Sequence, residues 1–306
     1  MRFEDAEENL RMFYWFVTER QEIWYRRNIL KLPREEWTND EILKKYKFTN
    51  VYRILDPGTY YLFDHIFNKG SKKEQFFNVF VYRLFNRTET FGFIGFQTID
   101  EYDKGKLLEK LTMMKNKGMK IFTSAFIVTG QKFAGSPYKY VNIVEVIDHV
   151  FRNLDDLYDE VTHADSMQEC FEVISSVPGI GDFLGYQILL DLTYNKIVPF
   201  SEDGDWAVAG NGCKRGLRFI WPDLKAKDEL DAMIFLRDNQ FKYFEEFGLD
   251  FKFLHYYWKD YPIKRISLSN IENCCCEFSK YMKAKTGQGR PRVRFVPRSK
   301  PFKQAF

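Results

Sequence analysis

Residues that hold metals are scarce in this 306-residue chain. Its four histidines (His65, His149, His163, His255) lie far apart, and no H-E-x-x-H spacing occurs. Its five cysteines are Cys170, Cys213 and the run Cys274-Cys275-Cys276. Adjacent residues on a helix point to different faces, so the run builds neither a metal cage nor a disulfide framework. A metal-free protein of a reducing compartment is expected, intracellular in the cytoplasm of a host cell, or in the nucleus of a eukaryote. No apolar run approaches the roughly 20 residues of a membrane helix. The acidic opening "MRFEDAEENLRMF" has no apolar signal core, so no membrane partner is expected. G-x-x-x-x-G-K-[ST] is missing too, which excludes P-loop kinase chemistry from this sequence. There is no repeat of fixed period.

Aromatic residues, by contrast, make up 18% of the chain, an unusual share that fills cores and also builds base-stacking surfaces. The net charge is only +3, but it is unevenly spread. "KYMKAKTGQGRPRVRFVPRSKPFK", from Lys280, carries many cations and no acid. Such a block is a solvated arm or an electrostatic grip on phosphates, and its Gly and Pro content opposes a continuous helix.

Apolar spacing predicts helices over 5–32, 73–86, 103–117, 141–159, 166–176, 182–195, 226–247 and 267–284, with another after the Asp56-Pro57-Gly58 break. "KIFTSAFIVTG" (120–130) reads as a short strand. The chain is thus expected to be a mostly α-helical array of two lobes with at most one small β ribbon. The lobes are placed at 1–140 and 141–285, followed by a basic tail at 286–306.

"SVPGIGDFLGYQILL" (176–190) joins two predicted helices through a very tight turn. Gly179 and Gly181 permit the turn, Ile180 packs inward, and the next helix opens near Asp182. Outward N–H groups beside a helix N-terminus form an anion site suited to a DNA phosphate. The plainer reading is a simple helix–helix turn. As a whole the string resembles the hairpin of the helix-hairpin-helix DNA glycosylase superfamily, where a carboxylate follows some twenty residues later and faces a flipped nucleotide. "KIVPFSEDGDWAVAGNGCKRGL" (196–217) is the matching region, with Glu202, Asp203 and Asp205.

A narrower resemblance spans residues 15–290. "ERQEIWYRRN" (19–28), "FTNVYRILDPGT" (48–59), "YRLFNRTETF" (82–91), "PGIGDFLGYQILLDL" (178–192) and "SEDGDWAVAGNGCKRGL" (201–217) follow one another in order. Together they resemble the alpha-glutamyl/putrescinyl thymine pyrophosphorylase family, whose fold also occurs as the helical domain of 5-hydroxymethyluracil DNA kinases. The resemblance implies a glycosylase-like helical fold and a DNA substrate whose 5-hydroxymethyluracil is pyrophosphorylated. It further implies a small amine or amino acid that displaces pyrophosphate, and a kinase as companion. Where the family pattern has A-G-P-G-A, this chain has Asn211 and Cys213, which leaves Asp203 and Asp205 as alternatives for the acidic position.

Such a transfer assigns roles to residue types. Arg20, Arg27, Arg53 and Arg83, with Arg87, suit a departing pyrophosphate; their alternative is ion pairing to Glu19, Glu22, Asp56 and Glu89. Asp205, Asp203 or Asp191 would accept the amine's proton, although an Asp-Gly-Asp turn often merely caps a helix. Asn50, Asn86 and Gln187 offer amides to the base edge. Trp24, Tyr52, Phe85 and Trp206 are wall candidates that serve equally as core. Gly179, Ile180, Gly181, Lys214 and Arg215 would hold the DNA backbone. Mg²⁺ would help neutralise pyrophosphate, but nothing in the sequence demands a cofactor. Two other functions are compatible with these residues: a monofunctional DNA glycosylase using one acid, and a non-catalytic DNA-binding module serving a separate kinase.

Overall fold

A computed structural model describes residues 2–123, 135–291 and 293–296. Among them are fourteen α-helices, and the sole β pairing is an isolated bridge between Tyr46 and Arg294. The mostly helical expectation holds. Residues 120–123 of the expected strand are irregular, and 124–130 lie outside the described residues.

Two compact units emerge, Met1–Asp56 with Glu202–Phe306, and Pro57–Ser201. They are interleaved in sequence, whereas the expected lobes are sequential. The first unit opens with α1 (Glu7–Asn28) and α2 (Glu41–Lys45). The second contains α3 (Pro57–His65), α4 (Lys72–Phe85), α5 (Thr88–Ile94), α6 (Lys104–Asn116), α7 (Lys139–Arg152), α8 (Leu154–Thr162), α9 (Met167–Ser176) and α10 (Asp182–Tyr194). The chain then returns to the first unit for α11 (Asn211–Ile220), α12 (Glu229–Asp238), α13 (Gln240–Glu246) and α14 (Leu268–Lys285).

Local chemistry accounts for the helix ends. A capping box between Ser71 and Glu74 starts α4, and Asn86 stops it in the left-handed region at φ 46°. Every residue from Gln75 to Phe85 is buried, as an all-round apolar helix requires. Asp40, Asp103, Ser166 and Ser267 cap α2, α6, α9 and α14 through their side chains.

Two predicted helices are broken. The one over 141–159 divides at Asn153, whose side-chain amide donates to the His149 carbonyl at 2.7 Å. The one over 226–247 divides at Asn239, beyond which Gln240 donates to Ile266 O and accepts from Ile266 N, at 3.1 and 2.8 Å.

Helix α11 starts at Asn211, later than a cap at Asp205 would place it. It lies unusually close to α14: a Cβ on Gly216 would fall 1.9 Å from the Cys275 carbonyl oxygen, and one on Gly212 would fall 2.3 Å from Cys276 Sγ. The glycines of one helix and the small thiol residues of the other permit this approach.

Candidate active site

In the second unit the turn after α9 is tight, as expected, but its amides are not all directed outward. Ile180 is buried, and its N–H donates to the Val177 carbonyl at 2.9 Å. Gly179 has φ +90°, and a Cβ there would meet Val146 Cγ2 at 2.5 Å, so glycine is required. Gly181 is extended (φ −98°, ψ 175°) with open space around it, so the expected need for a second glycine is corrected.

Arg83 and Asp191 are brought together, but as partners of each other. The Arg83 guanidinium donates through Nε to Asp191 Oδ2 and through Nη2 to Oδ1 at 2.8 Å, while Nη1 donates to Asn86 Oδ1 at 2.8 Å. Both charged groups are buried. A bidentate fork with its third nitrogen engaged ties α4 to α10. The expected separate roles, a pyrophosphate ligand and a proton acceptor, give way to this cross-brace. Gln187 is half-buried one turn before Asp191.

In the first unit most of the expected arginines have structural work. Arg20 is buried and donates to the carbonyls of Thr49 (2.7 Å) and Asn50 (2.9 Å), fixing the loop that follows α2. Arg27 lies over the Trp37 ring at 5.2 Å. Trp24, Tyr52 and, in the second unit, Phe85 are buried core residues, whereas Trp206 is half-buried.

The acidic loop disperses its carboxylates. Asp203 accepts from Arg265 Nε at 2.7 Å and from the Leu268 N–H at 3.2 Å, capping α14. Asp205 is exposed and accepts from Arg237 at 3.0 Å. Glu202 is buried, receiving Tyr261 Oη at 3.0 Å and Ser269 Oγ at 3.1 Å. The helix expected near Asp205 begins only at Asn211. Lys214 pairs with Glu229 at 3.4 Å, and Arg215 is exposed beside it on α11.

A different group converges around Arg53. Asn50 donates to the Leu55 carbonyl at 2.9 Å and to Asp56 Oδ1 at 3.0 Å, so the "FTNVYRILD" loop folds onto its own last acid. A polar stripe of α14 receives this loop: Asn270 Oδ1 accepts from the Arg53 N–H at 2.9 Å, and Asn273 bonds the Thr49 hydroxyl at 3.2 Å. Between these two, Glu272 accepts from the Gly210 N–H at 3.1 Å, at the start of α11.

The carboxyls of Asp56 and Glu272 both feel the Arg53 charge. Desolvation nevertheless dominates, lifting Asp56 to about 6 against the pull of Arg53 and the Asn50 bond. It lifts Glu272 to about 7 against the Gly210 N–H and Arg53, with Glu277 adding repulsion. Both residues keep partial solvent exposure. Strong desolvation with residual solvent access raises both carboxyls toward neutrality and marks the pair as candidates for proton transfer. Sequence reasoning treated Asp56 as an ion-pair partner and missed Glu272. The visible trace was the polar series Asn270, Asn273, Glu277 at helical spacing on a helix that also carries buried apolar residues.

Residues 7–290 match the model of a protein family described as the helical domain of 5-hmdU DNA kinase. The 5-hmdU DNA kinase of Bacillus phage SP10 is 32% identical over 289 residues, covering 88% of this chain and 44% of that protein. The chain thus spans less than half the length of the curated relative it matches. No solved structure matches it.

Proposed function

The chain belongs to the family of 5-hmdU DNA kinase helical domains, and from that premise we propose that it modifies DNA carrying 5-hydroxymethyluracil. The reaction is transfer of an amine onto the pyrophosphorylated base. The observation that carries this reading is a loop–α14 junction where Asp56 and Glu272, both within the field of Arg53, are carboxyls raised to about 6 and 7.

The amine nitrogen attacks the exocyclic methylene carbon, the carbon–oxygen bond breaks, and pyrophosphate leaves with its electron pair. The amine's surplus proton passes to a carboxylate. A group titrating near 7 is partly ionised at neutral pH, so Glu272 can take that proton and return it to solvent. Arg53 offsets charge that develops on the leaving group. The thymine-type methylene lies in the major groove of a stacked duplex, and eversion of the nucleotide would enclose it with the amine and the leaving group. In this scheme Glu272, with Asp56, takes the acid role expected of Asp203 or Asp205, which are engaged by Arg265 and Arg237.

A second reading is favoured by the share of the phage kinase outside the match. There the chain is a non-catalytic module that holds DNA for a 5-hydroxymethyluracil DNA kinase. Mass spectrometry of nucleosides separates these outcomes. DNA bearing 5-hydroxymethyluracil is incubated with a pyrophosphorylating kinase, this protein and a pool of amines. An amine adduct supports transfer, unchanged pyrophosphorylated base supports the module, and loss of the base reveals a glycosylase.

A further inference from the structure

Two basic segments distant in sequence meet in the first unit. The first, Lys44-Lys45-Tyr46-Lys47, ends α2, with Tyr46 already extended at φ −112°, ψ 153°. The second, Val293-Arg294-Phe295, docks antiparallel to it. The Lys47 N–H donates to Val293 O at 3.0 Å, and the Phe295 N–H donates to Lys45 O at 3.0 Å, around the Tyr46–Arg294 bridge.

Side chains fasten the same junction. The Phe295 ring meets Trp37 edge-on at 5.9 Å. Arg34 lies over Phe295 at 5.1 Å and donates to the Lys44 carbonyl at 3.1 Å. This strap brings Arg294 beside Lys45 and Lys47, with Arg290 four residues earlier in the chain, and all four are exposed. Lys44 is paired with Glu41 at 2.9 Å, but no ion pair among the described residues involves the other four cations.

We infer that this strap-built surface is a sequence-independent grip on the phosphate backbone of duplex DNA. The inference rests on the DNA-directed reading above and adds where the duplex is held. Four separated cations without acid partners suit a polyanion of regular charge spacing. An array of this kind fixes position and register without reading bases. The strap explains why two modest basic runs act together: docking converts a tail segment and a helix end into one field.

The test is fluorescence anisotropy of the full chain with a 5-hydroxymethyluracil duplex and its unmodified counterpart, over roughly 50–200 mM salt. The triple variant Lys45→Glu, Lys47→Glu, Arg294→Glu is expected to lose at least about tenfold in affinity for both duplexes. Its slope of log K against log salt should shrink by about 0.9 for each phosphate that is no longer neutralised. Phe295→Ala keeps every charge but removes the fastening, and should also flatten the slope.

An unchanged slope in the triple variant overturns the grip. A wild-type slope in Phe295→Ala, with its fold intact by circular dichroism, overturns the role of the strap. Displacement of the duplex by poly-glutamate at matched charge would assign the surface to acidic proteins instead. Amine transfer that persists while the triple variant binds normally overturns the grip alone. A flattened slope in the triple variant, together with no amine transfer by the wild type, overturns the catalytic reading alone.

Discussion

Each unit surrounds an arginine with carboxyl groups, and the two arrangements differ in stoichiometry. Arg83 in the second unit commits all three nitrogens, two to Asp191 and one to Asn86, in a fully buried fork. Arg53 in the first unit faces two carboxyls, and desolvation still raises both. A one-to-one buried fork is closed chemistry, holding helices in register. Desolvation that one guanidinium does not offset leaves two acids with proton affinity near neutrality, which a reaction can use. The difference separates a brace from a candidate site more clearly than the presence of charge does.

The largest expected effect comes from breaking the brace. Asp191→Ala strands a buried guanidinium and should cost about 3–5 kcal/mol in urea unfolding. The double variant Arg83→Met, Asp191→Leu should be milder than either single change; simple additivity would show the pair is not a unit.

Glu272→Gln addresses the other side of the comparison. Amine transfer should fall by about 10²–10⁴-fold, read by nucleoside mass spectrometry. Stability should hold or rise, because the amide still accepts from Gly210 while a disfavoured charge is gone. Undiminished transfer would remove Glu272 from the mechanism.

The pH dependence sharpens the same contrast. Asp56 and Glu272 hold protons in the native state up to about 6 and 7, against ordinary values of 3.8 and 4.5. The native state therefore binds more protons than the unfolded chain across that interval, and their contribution to stability declines as pH rises from about 4 to 7. Thermal unfolding of the Asp56→Asn, Glu272→Gln variant across this range should show a flatter profile than the wild type.

The smallest effects distinguish the two turn glycines. Gly179→Ala, at φ +90° against Val146, should cost about 1–3 kcal/mol. Gly181→Ala should stay within about 1 kcal/mol by the same unfolding measurement.

Much of the helical order was legible because apolar stripes and caps agree, as in α4 with its Ser71–Glu74 box. The interruptions at Asn153 and Asn239 were hidden, since no Pro or Gly announces them and side-chain bonds set the break. The true start of helix α11 was hidden for the converse reason. Gly212 and Gly216 read as loop residues, although their function is to admit α14. In the candidate site, Arg53, Asn50 and Asp56 share one motif and could be read together. Glu272 could not, because its relation to Gly210 and Arg53 exists only in three dimensions. Closeness in sequence misled at Glu202, Asp203 and Asp205, which each face a different partner.

The seam between α11 and α14 also offers a built-in reporter. Cys213, Cys274 and Cys275 are buried at or near it, and Cys276 is only partly accessible. Burial pushes the Cys274 thiol up to about 11 and Cys276 to about 12, so thiolate is scarce at neutral pH. Attachment of a bulky maleimide to the buried Cys213, Cys274 or Cys275 must therefore wait for the helices to part. Its rate would time the breathing of the joint on which Gly210 and Glu272 meet.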